Sequence, residues 1–306
     1  MGGRAVAITA LAGVASGLLF LSTIEGGGLL PLAGYFVQLP LLLCGLTMGP
    51  LSAGLASAGA LLVVLLASGL VAALVLLVVQ LGPAVLVSRQ ALLWRTDASG
   101  ARVWYPLGLL ARDSALYVGA ASLSGLLWLE WAGAGVDGLL RVLAAHLAAE
   151  LAAPGAAPGL EAFLDRWRPW IPGLVALSWL GMIWSNAALA QALASRSGRA
   201  LRPSPRLAEL ELPRACVPAA VAALLLVQLG SGTLAYLAAI VLALSAALLF
   251  LAGLAVVHTL VARRRLGTAP LVGFYLVLVL FSWPLVLVIV ALGLIEELAG
   301  LRRRLV

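Results

Sequence analysis

Long apolar stretches, separated by short polar or glycine-containing breaks, follow one another along the whole chain. A membrane-spanning helix needs about 20 apolar residues in succession. Eight stretches approach or exceed that length, and a ninth contains Pro284 near its middle. The pattern predicts an all-α fold, a polytopic transmembrane helix bundle of about eight or nine spans. The predicted spans are residues 5–24, 29–48, 51–67, 70–93, 107–131, 171–193, 215–229, 234–262 and 271–298.

The breaks between these stretches consist of residues that favour turns. Gly49-Pro50 separates the second stretch from the third, and Ser68-Gly69 separates the third from the fourth. A polar segment, residues 195–214, contains three prolines, which disfavour a long regular helix. We therefore expect tight turns between the early spans and an irregular loop before the seventh.

The segment between the fifth and sixth stretches, residues 132–170, differs from the spans. Its leucines fall on one helical face with charged residues elsewhere, which is typical of a helix lying in the membrane interface. We predict a short amphipathic interfacial helix there, on the outer side of the membrane. The leucines are Leu139, Leu140, Leu143, Leu147 and Leu151.

The placement of arginine indicates the orientation of the chain, because cytoplasmic loops are rich in basic residues. Arg4 and the groups at 89–102, 196–214 and 263–265 all face the cytoplasm if eight spans alternate from a cytoplasmic N-terminus. A ninth straight span would place the arginines at 302–304 outside. The lengths of the runs favour nine crossings; the alternative is eight crossings followed by a helix pair broken near Pro284.

Composition agrees with a bilayer as the solvent. Of the 306 residues, 63% are apolar and 10% are charged, whereas soluble domains carry about 25% charged residues. We predict one integral membrane domain, 1–306, in the inner membrane of a bacterium. Within it, 1–193 holds six spans with the outer insertion 132–170, 194–214 forms a cytoplasmic loop, and 215–306 holds the C-terminal spans.

Several kinds of chemistry are excluded or disfavoured. All 19 basic residues are arginine, so the lysine of a phosphate-binding loop is missing and the chain is not its own ATPase. The net charge of +7 comes from arginines at the ends of spans, which indicates contact with lipid rather than nucleic acid. No motif pairs catalytic residues, and His146 and His258 fall on opposite sides of the membrane. We expect no enzyme activity, no cofactor and no metal.

Polar side chains inside apolar stretches are costly and therefore informative. Gln38, Asn186, Gln191 and His258 are the candidates for a ligand-binding pocket between helices. The alternative is that each makes a hydrogen bond between two helices.

Small residues recur every four positions in the first stretch, at Ala5, Thr9, Gly13 and Gly17. Such a stripe lets another helix approach closely. One interpretation is a docking surface for a partner membrane subunit, and the other is packing within the chain.

Short motifs in a fixed order resemble the YybS-like family of multispanning bacterial membrane proteins. The resemblance covers most of the chain, and the family has no settled biochemical role. The motifs lie at residues 39–50, 104–106, 186–191, 202–205, 211–213, 253–258 and 293–296.

The N-terminal part is similar to the substrate-binding S-components of energy-coupling-factor vitamin transporters. That similarity implies a protein that binds a micronutrient-like small molecule and docks, through small residues of its first helix, to a membrane coupling subunit driven by a separate ATPase. The extra C-terminal spans and the outer insertion depart from that pattern. The competing hypothesis is a non-transporting scaffold or regulatory protein whose loop 196–214 meets a cytosolic partner.

Overall fold

The structure is a computed structural model that describes residues 2–25, 33–133, 135–139, 141–142, 163, 166–264 and 267–304. A π-helical turn occupies Leu77–Leu81, and short 3-10 turns occupy Arg168–Trp170 and Leu207–Glu209. The strands are β1, Trp94–Thr96, and β2, Arg102–Trp104. The helices are α1 Gly3–Glu25, α2 Gln38–Met48, α3 Pro50–Leu76, α4 Gly82–Ala91, α5 Leu107–Trp131, α6 Ile171–Arg196, α7 Cys216–Leu229, α8 Thr233–Arg263, α9 Ala269–Leu280, α10 Ser282–Ala299 and α11 Leu301–Arg304.

The fold class predicted from the apolar pattern is confirmed: the chain folds as a polytopic helical membrane protein. Five helical segments among the described residues are long and apolar enough to cross a membrane. Shorter apolar helices, α2, α7 and α9, accompany them. The five segments are Gly3–Ile24, Pro50–Ala91, Arg168–Arg196, Thr233–Arg263 and Ser282–Ala299.

The longest of these segments, Pro50–Ala91, is a helical hairpin. Gly69 has φ 80° and ψ −175°, a conformation outside the helical region that glycine adopts without steric cost. A Cβ atom placed on Gly45 would lie 2.6 Å from Ser88 Cβ and 3.1 Å from Ala53 Cβ, so those two residues are neighbours. A continuous helix would separate them by about 50 Å. The chain therefore reverses at Gly69, as the Ser68-Gly69 break predicts.

The contacts within the chain divide it into two compact units. The first contains residues 1–114 and 179–211, and the second contains 115–178 and 212–306. α5 and α6 each contribute residues to both units, so the units do not follow the order of the spans along the chain. The single domain predicted from the sequence, with bounds near 193 and 214, stays a prediction.

In the second unit, α8 and α10 cross in backbone contact. A Cβ atom on Gly293 would lie 2.8 Å from the Gly253 nitrogen, and one on Gly253 would lie 2.9 Å from the Ile289 carbonyl carbon. Paired glycines remove the side chains that would otherwise hold the two helices apart. The crossing point therefore lies near residues 251 and 291.

Beyond this crossing, the C-terminal ends of α8 and α10 come together. The Arg263 guanidinium lies 3.5 Å from the Arg302 carbonyl oxygen, and Glu296 receives hydrogen bonds from the Arg302 backbone N–H (2.9 Å) and Nε (2.8 Å). Two helices that cross and then meet again at their downstream ends run in similar directions. The intervening α9, with 12 residues, must return against that direction before the bend at Phe281.

The span predicted over 271–298 is not one straight helix. Pro284 has no N–H to bond the Leu280 carbonyl, and the helix breaks at Phe281, where φ is −102° and ψ is 21°. The α9–α10 pair has the form of the broken helix pair that the sequence offers as the alternative, and Arg263 and Arg302 lie at the same end of the α8–α10 pair. The number of crossings stays a prediction.

We expect a reporter fused after Arg304 and one fused after Arg264 to report the same side of the membrane. The measurement is the activity of paired reporters that fold only in the cytoplasm or only outside it. A fusion after Gly232, before α8, provides the control and should report the opposite side. Opposite signals from the two arginine-rich positions would contradict the returning helix pair.

Two other predicted regions need comment. The polar stretch after α4 forms an antiparallel hairpin in which Trp94 pairs with Trp104. The predicted interfacial helix lies mostly outside the described residues, although 135–139 are helical. The described Asp137 carboxylate accepts a hydrogen bond from the Tyr236 hydroxyl at 2.8 Å.

Candidate functional site

The Val79 carbonyl lies inside the π-helical turn of the first unit. In a regular helix this oxygen would accept the N–H of residue 83, but Pro83 has none. Two side chains donate to it instead: Gln38 Nε2 at 3.3 Å and Trp179 Nε1 at 2.9 Å. The Gly82-Pro83 pair therefore creates both the irregular turn and an acceptor at its centre. Such π turns are frequent at functional sites.

Asn186 of α6 completes a ring of contacts around the same turn. Its Nδ2 donates to the Tyr35 carbonyl at 2.6 Å and to the Met182 carbonyl at 2.9 Å. Gln80, next to Val79, places its Nε2 3.9 Å from the Met182 sulfur. The contacts thus run from the segment before α2 through α6 to the π turn and back to α2.

We call Gln38, Gln80 and Asn186 the amide cluster. Their exposed fractions are 0%, 6% and 3%. Each directs its NH₂ group at a carbonyl or a sulfur, whereas the side-chain oxygens Gln38 Oε1, Gln80 Oε1 and Asn186 Oδ1 have no hydrogen-bond partner among the described residues. Leaving a buried acceptor unpaired costs about 1–3 kcal/mol. All three unpaired acceptors belong to this one ring of contacts.

The unpaired oxygens of the amide cluster are hydrogen-bond acceptors that carry no net charge. Amide and backbone oxygens suit N–H and O–H donors or a hard cation. No group of three or more His, Cys, Asp or Glu residues that could hold a metal occurs in the described part of the chain.

The structure brings together two of the four predicted pocket residues, Gln38 and Asn186. Gln191, further along α6, instead donates to the Arg202 carbonyl at 2.9 Å and lies 3.2 Å from the Ser195 hydroxyl. Its contacts hold the loop that follows α6. His258 belongs to the second unit, where its Nε2 lies 2.9 Å from the Tyr275 hydroxyl of α9.

The small-residue stripe of α1 packs within the chain. Thr9 is buried, donates to the Ala5 carbonyl at 2.9 Å, and lies 3.7 Å from the Cys44 sulfur. A Cβ atom on Gly13 would meet the Ala56 backbone, and one on Gly17 would lie 3.0 Å from Val63 Cβ. The stripe therefore faces the first half of the 50–91 hairpin. This is the internal-packing interpretation; at Thr9, Gly13 and Gly17 the surface proposed for a partner subunit is already covered.

Two residues of the site are absent from the sequence-based candidates. Gln80 lies in the predicted span 70–93, and Trp179 lies in the predicted span 171–193. The sequence carries a signal for Gln80: an amide in the middle of an apolar stretch, three residues before a proline, stands next to the carbonyl that the proline leaves without its helical N–H partner. For Trp179 the sequence carries no such signal, because its indole N–H acts through tertiary contact.

The comparisons with known proteins agree with this architecture. Residues 160–296 match the family model described as a predicted membrane protein (DUF2232). The chain is a multi-pass membrane protein embedded in a lipid bilayer. The match covers somewhat less than half of the chain, and it includes α6 with Asn186 and the α8–α10 crossing. No curated protein and no solved structure matches the chain.

Proposed function

We propose that the protein binds a small polar molecule at the amide cluster and serves as the substrate-binding component of an uptake system. The observation that carries the proposal is the set of three buried amide oxygens without a partner among the described residues. If these amides served only to hold the helices together, we would expect both the oxygen and the NH₂ group of each to be hydrogen-bonded, because buried polar groups usually are.

The chemistry of the cluster limits the molecules it would take. Unpaired carbonyl oxygens bind N–H, O–H or a positively charged group, and they repel an anion in a site of low dielectric. We infer a neutral or singly positive molecule with two or more donors, such as an amide, an amine or a nitrogen heterocycle. This class includes the micronutrient-like ligands that the resemblance to S-components implies.

Energy for uptake has to come from elsewhere, because the chain has no lysine and so no phosphate-binding loop. A membrane coupling subunit with a separate ATPase is the proposed partner. The proposed setting is the inner membrane of a bacterium, with the N-terminus in the cytoplasm. The arginines near both ends of the chain support this orientation.

Gln80→Met tests the binding role with little change of shape. The substitution keeps the length of the side chain and loses only the unpaired oxygen and a 3.9 Å contact with the Met182 sulfur. We expect unchanged or slightly raised thermal stability, because an unpaired buried acceptor is removed. Retention of the co-purified molecule, measured by native mass spectrometry, should fall about tenfold for the loss of one hydrogen bond of about 1.4 kcal/mol.

Gln228→Met is the matched control, because it makes the same chemical change at an exposed position of α7. It should leave ligand retention and stability as they are. Equal retention by the Gln80→Met variant and the wild type, or wild-type protein that retains no molecule at all, would overturn the proposed function.

The scaffold hypothesis rests on a different observation. The loop after α6 is firmly attached: the Leu201 N–H donates to the Leu46 carbonyl at 3.0 Å, and Gln191 bonds the Arg202 carbonyl. An ordered loop could present a fixed surface to a cytosolic partner. Asn186→Ala and Gln191→Ala separate the two hypotheses, because Asn186 belongs to the amide cluster and Gln191 holds the loop. Lost ligand retention in folded Asn186→Ala protein, with normal retention in Gln191→Ala, supports uptake. Unchanged retention in Asn186→Ala, with reduced thermal stability in Gln191→Ala, supports the scaffold.

A further inference from the structure

The first unit carries an excess of positive charge. It contains nine arginines and five acidic residues, a net charge of +4. Asp97 is bonded within its own turn, Asp113 pairs with Arg112, and Glu209 pairs with Arg206. The hydrogen bonds of the amide cluster go to carbonyl groups and a sulfur. Among the described residues, these contacts bring no carboxylate to the cluster.

One positive charge of this unit is buried without a carboxylate beside it. Arg202 is buried, and its guanidinium donates to the backbone carbonyls of Ala91 and Tyr105. The ion pairs found among the described residues do not include it. Burial lowers the pKa of Arg202, which is the direction expected for a buried cation whose charge is not offset. Arginine nevertheless stays charged in proteins, and water screens a buried charge less than an exposed one.

A helical segment leads from the amide cluster to Arg202. Gln80 lies in the π-helical turn at its start, and Ala91, whose carbonyl binds the guanidinium, is the last residue of α4. A helix that advances from residue 80 to residue 91 covers about 16 Å. At an effective dielectric constant of about 20, the repulsion between two unit charges at that distance weakens the binding of a cation about fivefold. An uncharged molecule does not experience this repulsion.

The cluster itself offers little to offset the charge of a cation. A small hard cation needs about six oxygen ligands to replace its water, whereas the cluster has three unpaired side-chain oxygens. An organic cation would bring its charge into a buried site without a carboxylate, which costs far more free energy than burying a neutral donor. A neutral N–H or O–H group meets the same oxygens without that cost.

We propose that the amide cluster selects an uncharged molecule against a cation of the same shape, and that Arg202 is a determinant of this selection through its charge. The inference rests on the proposed function and narrows its ligand class from neutral or singly positive molecules to neutral ones. Primary amides and ureas belong to this class, because they offer two or more N–H donors and carry no charge. Protonated amines and amidines do not belong to it.

Benzamide and benzamidinium test the selection, because they share one planar shape and differ by one unit of charge at neutral pH. Their binding to the full-length protein in mild detergent is measured by isothermal titration calorimetry. We expect the wild type to bind benzamide at least tenfold more tightly than benzamidinium. Gln80→Met should weaken benzamide binding about tenfold, as expected for the loss of one hydrogen bond. The exposed control Gln228→Met should leave it unchanged, which assigns the probe to the cluster.

Arg202→Gln should reduce the preference for benzamide about fivefold, because the buried charge is removed. Arg202→Lys keeps the charge and should keep the preference, although it loses the planar fork that reaches both carbonyls. The ratio of two affinities is measured on folded protein, so a loss of stability alone does not change it. Arg206→Gln removes an exposed arginine, whose charge is screened by water, and should bind both probes as the wild type does.

Three results would overturn the proposal: benzamidinium bound by the wild type as tightly as benzamide, an unchanged preference in folded Arg202→Gln protein, or binding of neither probe. The proposed function has a separate test, the molecule that the wild type retains on purification. If that molecule is retained but carries a positive charge, the selection is wrong and the binding role of the cluster stands. If the wild type retains none, the proposed function itself fails.

Discussion

Gly293→Val is expected to abolish the monodisperse, folded protein. A Cβ atom at position 293 would lie 2.8 Å from the Gly253 nitrogen and still closer to the Leu249 carbonyl oxygen. Backbone atoms of a packed helix cannot move aside as the end of a flexible side chain can. Accommodating the branched side chain would separate α8 from α10, and we expect a loss of about 4 kcal/mol or more. Size-exclusion profiles and thermal unfolding in detergent measure the effect.

Gly273→Ala serves as the control in the same unit. Nothing lies within 4 Å of a Cβ atom at Gly273 of α9, and alanine favours a helix over glycine by about 1 kcal/mol. This variant should be as stable as the wild type or slightly more so. A folded Gly293→Val protein with the melting temperature of the wild type would show that α8 and α10 do not meet at these glycines.

Arg202→Ala should produce the largest loss of stability in the first unit. Arg202 is buried (7% exposed), and its guanidinium donates to the Ala91 carbonyl at 3.0 Å and to the Tyr105 carbonyl at 2.9 Å. It caps the last turn of α4, where a cation is favoured by the free carbonyl groups. Burial lowers the pKa of Arg202, yet arginine stays charged in proteins. We expect a loss of about 3 kcal/mol, since each hydrogen bond to a charged group contributes about 1.5–3 kcal/mol.

Two variants bracket this prediction. Arg202→Lys keeps the charge but has no planar fork to reach both carbonyls, so it should lose part of that stability. Arg206→Ala removes an arginine paired with Glu209 at 3.5 Å on the exposed surface, and it should change the free energy of unfolding by less than about 1 kcal/mol. If Arg202→Ala unfolds at the same temperature as Arg206→Ala, the capping role is wrong.

The regular parts of the fold follow from the sequence because they depend on local properties. Apolar run length predicts the helices, and Gly69 marks the reversal because few other residues tolerate its φ. The sequence predicts only part of the geometry of α9 and α10. Pro284 signals a break, but a broken helix can bend by any angle, and the direction here is fixed by contacts between α8 and α10 far apart in sequence.

The candidate site shows the same limit. Gln38 and Asn186 stand out in the sequence because buried amides are costly in a membrane, and the structure places them in one ring of contacts. Gln191 has the same side chain as Gln38 and lies on the same helix as Asn186, yet it donates to a carbonyl of the following loop. The rotation of each helix about its axis decides which polar residues come together. In this chain nearly every helix face is apolar, so the sequence pattern does not show which face is turned inward.

An experimental density map of the protein purified in mild detergent, at a resolution that shows ordered small molecules, tests the central claim most directly. The account predicts a discrete feature within about 3 Å of Gln80 Oε1 and of at least one other oxygen of the amide cluster, a hydrogen-bond distance. It also predicts that Gln80→Met weakens or removes this feature. A cluster whose three oxygens are all paired with protein groups, with no other molecule beside them, would contradict it.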